Sequence, residues 1–384
     1  MEEKDLWLPY QEDQETREKI WGVQRTFAQD VWFRFRHKKT ALLGLGLIVL
    51  SLLFALLGPL VVSRSYSDQN LDYVSIPPYF SAYDMGDGKY LYLTAAMKPI
   101  EVLADGTLGA PLPRIQDDMF QKKVTYQFGD EVVTVDYAKK PATILDENGQ
   151  RMTADHFTWN KSYVLGTDSL GRDNLVRLMY GARISLLVAF VAAVINLVIG
   201  VIYGGISGYV GGNVDMVMMR IVDIISTIPL TLYVILIMVL LGQGLHSIIL
   251  ALSSVYWVDM ARVVRGQVLY LRRQEFVYAA HTIGTSPGRV LLIHLIPNAM
   301  GPILVTATML IPSAIFMEAF LSFIGLGIPA PDASLGTMCN DAIATLKASP
   351  YQLFLPALMI CIIMFAFNFV GDGLRDALDP KLKK

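Results

Sequence analysis

Few polar side chains in this chain stand where they could do chemistry. Asp168, Arg172 and Asp173 crowd together just ahead of a long apolar run, and Glu318 stands inside another. A carboxylate within apolar sequence is costly and tends to face a cavity or a partner. Two uses are open for Glu318: direct contact with a substrate, or helix packing beside the Gly325-Leu326-Gly327 turn. Asp168, Arg172 and Asp173 could recognise a partner or simply cap the segment that follows. Arg220 and Asp223, three apart, fit an ion pair on one helix face. Asn196 and Asn368 fit hydrogen bonds to neighbouring helices.

None of this resembles a catalytic centre. The five histidines are scattered, and no phosphate-binding loop of the G-x-x-x-x-G-K-[ST] type occurs. No His-Glu-x-x-His pair or paired-cysteine motif offers a metal site, and no nucleophile elbow is expected. Cys339 and Cys361 cannot build a disulfide framework, and Cys361, within an apolar run, reads as a small hydrophobe.

The elements that would position these residues are apolar. Of 384 residues 53% are hydrophobic and only 17% charged, against about 25% charged in soluble domains, which points to burial in a bilayer. The net charge of -2 leaves no basic excess for phosphates, so nucleic acid is not an expected partner. A secretory signal is not expected either, because the first forty residues are charged throughout and the first apolar run is too long.

A bilayer core of about 30 Å needs roughly 20 apolar residues per helix. Ala41 to Val62 meets that length, and Ile184 to Val214 is a second uncharged run with Gly204, Gly205, Gly208, Gly211 and Gly212 at its far end. Ile224 to Val258 is too long for one crossing, and Gly242-Gln243-Gly244 breaks it. The fold class predicted is an all-α polytopic membrane protein with six transmembrane helices. These are 41–62 and about 184–206, 224–241, 245–260, 302–323 and 351–370.

Lysine and arginine set the orientation. Arg34, Arg36, Lys38 and Lys39 precede the first span, while Arg375, Lys381, Lys383 and Lys384 follow the last. Both termini are therefore expected in the cytoplasm, with the loop 262–298. Residues 1–40 form a cytoplasmic N-terminal segment, and Thr16–His37 within it suits either an amphipathic helix at the membrane surface or a packed cytoplasmic helix. Residues 63–162 become an extracytoplasmic, β-rich insertion. In it Val124–Phe128 and Val132–Tyr137 alternate around Gly129-Asp130 as a hairpin, and Asp146–Gly149 suggests a further turn. The core follows at 163–384.

The loop Phe276–Asn298 carries the most information. Ala279, Ala280 and Gly284 allow close approach of another backbone, and Ser286-Pro287-Gly288 is read as the stop that ends its helix. An ordinary connector is the plain alternative.

This loop resembles the EAA-type coupling motif of importer permeases in the ATP-binding-cassette superfamily. Other stretches are similar to the C-type subunit of the dipeptide/oligopeptide permease family: Leu165–Asp173 with Arg177–Ser185, Met219–Asp223 with Pro229, Glu318–Gly327, and Gly371–Pro380. The resemblance covers about 30–62 and 163–384. It departs at Tyr278, where the motif usually has Glu, at Leu335, where related chains often have Trp, and in the long 66–160 segment.

What the resemblance implies is specific. The chain would be a permease subunit for oligopeptides or dipeptides in a prokaryotic plasma membrane, not itself an enzyme. It would pair with a B-type permease subunit, two ATPase subunits and an extracytoplasmic peptide-binding protein, with membrane lipid around it. ATP and Mg would bind the partners, and no cofactor this chain. Phe276, Tyr278, Ala279, Ala280, Gly284, Pro297 and Asn298 would couple to an ATPase. Glu318, Gly325 and Gly327 would belong to the path or gate; Asp168, Arg172 and Asp173 would face the binding protein. Alternatives are a cargo such as a nickel chelate, glutathione or a metallophore, or a stand-alone secondary transporter. That last class tends to show inverted repeats, and no convincing repeat is found.

Overall fold

The uncharged runs fold as helices of membrane-crossing length. The computed structural model describes residues 26–378 apart from 87, 139 and 147; residues 16–25 of the amphipathic segment and the lysines at 381, 383 and 384 fall outside these. A Thr26–Gln29 capping box opens α1 (Phe27–His37), satisfying two orphan helix-end groups reciprocally. Phe35 and Val31 on α1 pack with Ala41, Leu374 and Ala377, so the described part of the N-terminal segment is a packed helix.

Among the described residues five helices suit a span by length and composition: Lys39–Val61 (α2), Asn174–Val210 (α3), Leu245–Leu271, Met300–Leu326 and Tyr351–Leu378. A sixth crossing is available as a bent pair, α4 (Gly212–Thr227) and α5 (Leu230–Leu241), which meet at 86°. The continuous helix expected over 224–241 is thus broken. Ile228 is extended (φ -83°, ψ 127°) ahead of Pro229, because a proline ring excludes the helical conformation from the residue before it. The break at Gly242-Gln243-Gly244 falls where the sequence places it, with φ of 81° and 141° at the two glycines.

Two other bounds move. Asp173 caps α3 through the Leu175 N–H (2.9 Å), so this helix starts ten residues before the expected 184. The fourth span combines α6 (Leu245–Ser253) and α7 (Trp257–Leu271). It carries Arg262 and Arg265 inside the helix, where a loop was expected. Arg265 is neutralised there by Asp215 of α4, with Nε–Oδ1 of 2.5 Å and Nη2–Oδ2 of 2.6 Å.

The glycines of α3 form a seam against α7. A Cβ at Gly200, Gly204 or Gly208 would fall 2.5 Å from Met260, 2.2 Å from the Ala261 carbonyl and 2.8 Å from the Arg265 carbonyl. Small residues four apart let two helix backbones touch in this way. Below the seam, Arg272 donates to the carbonyls of Gly208 and Tyr209 (3.1 and 3.0 Å), a favourable place for a cation at a helix C-terminus.

Between α2 and α3 the described residues form nine strands in two antiparallel sheets. One is ordered β4 (Leu108–Pro111), β3 (Pro99–Leu103), β2 (Lys89–Leu93), β1 (Tyr79–Asp84) and β9 (His156–Trp159); the other runs β5 (Arg114–Asp118), β6 (Lys123–Phe128), β7 (Glu131–Asp136) and β8 (Thr143–Leu145). The expected hairpin is β6–β7, closing at the Phe128–Glu131 pair. At the expected second turn, Asp146 Oδ1 accepts from the N–H groups of Asn148 and Gln150. Tyr83, Leu91, Val124, Val135 and Ile144 fill the core between the sheets.

Candidate functional site

The loop around residue 280 is ordered by its own backbone. Helix α8 (Glu275–Thr282) is shorter than the sequence suggests, and its stop is Gly284, not Ser286-Pro287-Gly288. Gly284 has φ of 80°; the Gly284 N–H donates to the His281 carbonyl and the Thr285 N–H to that of Ala280 (2.9 and 3.1 Å). This is a Schellman end, which needs a left-handed residue at that position. Pro287 then opens the next helical stretch (Pro287–Arg289), with Ser286 extended before it, as proline favours a first turn. Residues 284–288 also spell G-x-S-x-G, against expectation. They join two helices, however, where a nucleophile elbow joins a strand to a helix.

Burial divides this helix sharply. Val277 and Ala280 are 1% and 5% exposed and belong to the main helical core with Val268, Val290 and Leu295. Ala280, expected on the docking face, is turned inward. Phe276, Tyr278 and Ile283 are exposed at 41%, 61% and 82%, and Ala279 and Gly284 lie open beside them. Pro297 and Asn298 are exposed further on. Ahead of them, Val290–Leu295 is a π-helical turn; Pro297 supplies no N–H to the regular ladder there. Asn298 folds its side chain back on the His294 carbonyl (2.6 Å).

Glu318 is fully buried and knots three elements. Its Oε2 accepts from Ser185 Oγ on α3 and its Oε1 from Ser322 Oγ, both at 2.8 Å. Ser334, which caps α9 (Leu335–Ile343), donates to Ser322 Oγ (3.3 Å), and the Leu335 N–H to Ser185 Oγ (3.3 Å). A buried carboxylate must be satisfied in this way or cost dearly, and these bonds tie three helical elements together. Leu335 itself is fully buried. Nearby, Gly325 (φ 86°) offers its carbonyl to Gln243 Nε2 (2.8 Å), tying the Gly242–Gly244 break to the end of the fifth span. A Cβ at Gly327 would fall 2.4 Å from Ser322 Oγ.

Asp168 and Arg172 are buried too. Asp168 Oδ2 accepts from Arg172 Nε (2.6 Å) and Arg177 Nη1 (2.5 Å), while both arginines reach Asp341 Oδ2 (3.2 and 2.9 Å). Asp168 Oδ1 takes the N–H groups of Leu170 and Arg172, each at 2.9 Å. Arg177 and Asp341 completed this knot unseen in the sequence. Asp173 stands apart: besides capping α3 it pairs with Arg64 (3.2 Å), whose guanidinium lies 4.2 Å from the Tyr163 ring centre. Arg172, Arg177, Gly325, Gly327, Gln243 and Asp341 line one polar cavity of about 150 Å³, so two groups separated in sequence meet there.

At the rim of this region Tyr66 donates to Asp332 (2.9 Å), a bond that raises the phenol's pKa. Burial pushes the Cys339 thiol up to about 11. Two expected pairings change. Asp223 meets Arg262 (3.4 Å) in place of Arg220, and Asn196 bonds its own helix at the Ala192 carbonyl (2.7 Å), leaving Oδ1 unpaired.

Long apolar helices, a broken span and buried ionic knots define a polytopic membrane protein. The family described as binding-protein-dependent transport system inner membrane component matches residues 196–384, and the N-terminal TM domain of oligopeptide transport permease C matches 26–78. The oligopeptide transport system permease protein OppC of Bacillus subtilis is 52% identical over 59% of this chain and 74% of its own. The dipeptide transport system permease protein DppC of the same organism is 45% identical over 61% and 74%. DppC of Lactococcus lactis subsp. cremoris is 37% identical over 98% of this chain and 97% of its own, an alignment that takes in the β-rich segment. The chain belongs to the dipeptide/oligopeptide family of ATP-binding-cassette importer permeases, as a C-type subunit.

Proposed function

We propose that this subunit forms half of the path by which oligopeptides or dipeptides enter the cell, driven by ATP hydrolysis on partner subunits. The cargo follows from the relatives, named for oligopeptide and dipeptide transport. A B-type permease completes the path, two ATPases bind ATP and Mg beneath it, and a peptide-binding protein delivers cargo from outside. The observation that carries the coupling is the two-sided helix α8. Val277 and Ala280 root it in the helical core, while Phe276, Tyr278 and Ile283 project from it. An element rooted in one body and gripped by another transmits a rigid displacement, and a ligand that biases one of two states drives it.

The N- and C-termini lie in the cytoplasm in this reading, with residues 63–162 outside as a platform for the binding protein. Asp168 and Arg172, both buried, support the knot beneath that platform and do not meet the binding protein themselves. Gly325 and Gly327 border the outer end of the path.

Disulfide trapping tests the coupling. With Cys339 and Cys361 replaced, Tyr278→Cys is paired with cysteines along the ATPase groove in the assembled complex. Cross-links that form and respond to ATP support the reading. Their absence, in a complex that still transports, sinks it.

A further inference from the structure

An apolar groove of about 380 Å³ opens where α1 folds back on the bundle. Val31, Trp32 and Phe35 of α1 form one wall, and Leu45, Leu304 and Leu374, from three membrane-spanning helices, form the rest. Its depth follows from the sequence. Leu45 lies six residues into its span from Lys39, roughly 9 Å at helical rise, whereas Leu374 sits in the turn whose Asp376 holds Lys38 (2.5 Å). The groove therefore runs from the hydrocarbon region to the headgroup level.

The lining residues have basic neighbours along the chain: Arg36 follows Phe35, and Arg375 follows Leu374. Asp30 and Asp376 are engaged by Arg34 and Lys38. Arg36, Lys39 and Arg375 are exposed and have no ion pair among the described residues; Asp372 is the neighbouring carboxylate without one. Arg36 follows Trp32 by one helical turn, so the indole and the guanidinium share a face. Trp32 is 54% exposed and stacks at 5.9 Å on Phe35, the placement of an interfacial tryptophan.

We propose that this groove is a binding site for an anionic phospholipid. One acyl chain lies along Val31, Phe35 and Leu45, and the phosphate is held by Arg36 and Lys39. A chain alone would suit any lipid; the unengaged cations beside the groove select the charge. The lipid would staple α1 to the last helix and fasten the N-terminal segment to the bundle.

Brominated lipids, which quench tryptophan on contact, test this in the assembled complex. The complex is placed in nanodiscs containing brominated phosphatidylglycerol or brominated phosphatidylcholine at equal mole fraction. The Trp32 signal is the difference between the wild type and Trp32→Phe. Stronger quenching by phosphatidylglycerol is expected, with the preference falling about fivefold for each of Arg36→Gln and Lys39→Gln. Equal quenching by both lipids, unmoved by these changes, would reduce the groove to ordinary bilayer contact. No quenching by either would show it covered by protein, from the sister subunit or the segment before Thr26. Both results overturn the proposal.

Discussion

The Thr285 N–H reaches over Gly284 to the carbonyl of Ala280, 3.1 Å away. That bond ends helix α8 and aims the chain into the next helical stretch. It exists only because Gly284 holds a positive φ.

Gly284→Ala should therefore cost about 1–2 kcal/mol locally and lower transport. Gly284→Asn should retain more, since asparagine tolerates the left-handed region. Uptake by the reconstituted complex, with substrate-stimulated ATPase activity alongside, measures both. Equal loss for the two variants would mean that conformation is not what matters there.

The division of α8 makes a second prediction. Tyr278→Ala and Ile283→Asp should leave the subunit folded but weaken ATPase binding by about 1–3 kcal/mol each, the range of interface anchors. Ala280→Glu should instead lower folded yield, because it places a charge in the core. Size-exclusion yield of the membrane pair, followed by titration with the ATPase subunits, separates the two behaviours.

Asp168→Asn should be among the most damaging exchanges outside the membrane. It leaves Arg172 and Arg177 buried with one fewer anion, a loss of about 3–5 kcal/mol in buried pairs. Asp341→Asn should cost clearly less, since its carboxylate is 42% exposed. Thermal unfolding in detergent would rank them; the reverse order would disprove the knot as a support.

Glu318→Leu should destabilise by about 1–3 kcal/mol, by leaving Ser185 and Ser322 without their acceptor, and Glu318→Gln by less. Neither should alter the ranking among peptides taken up. A changed ranking with stability intact would return Glu318 to the path.

Cys339, raised to about 11 by burial, is protonated at pH 8, with roughly one thiolate per thousand molecules. Maleimide labelling of a Cys361→Ala protein should stay negligible at pH 8 until the chain is unfolded. Rapid labelling of the folded protein would contradict this.

Much of the fold was legible because membrane burial is written in uninterrupted apolar runs, and Gly242-Gln243-Gly244 broke one where expected. Pro229 was missed as a break because the apolar run continues unchanged across it. The inward turn of Ala280 was hidden as well: in so short a helix alanine suits either face, and only Val277, Val290 and Leu295 around it decide. The knot partners Arg177 and Asp341 lie far apart in sequence, and charge alone does not say which ions meet. Gly200, Gly204 and Gly208 carried a readable spacing of four, but not the identity of the helix they face.

The helix Asn174–Val210 has consequences beyond its own packing. Arg177 near its start is locked to Asp168 and Asp341, and the carbonyls of Gly208 and Tyr209 near its end are clasped by Arg272. No proline interrupts the length between. Its two clasps are therefore joined by one unbroken helix, so a displacement imposed at one end would reach the other as a rigid-body shift, guided by the glycine seam against α7.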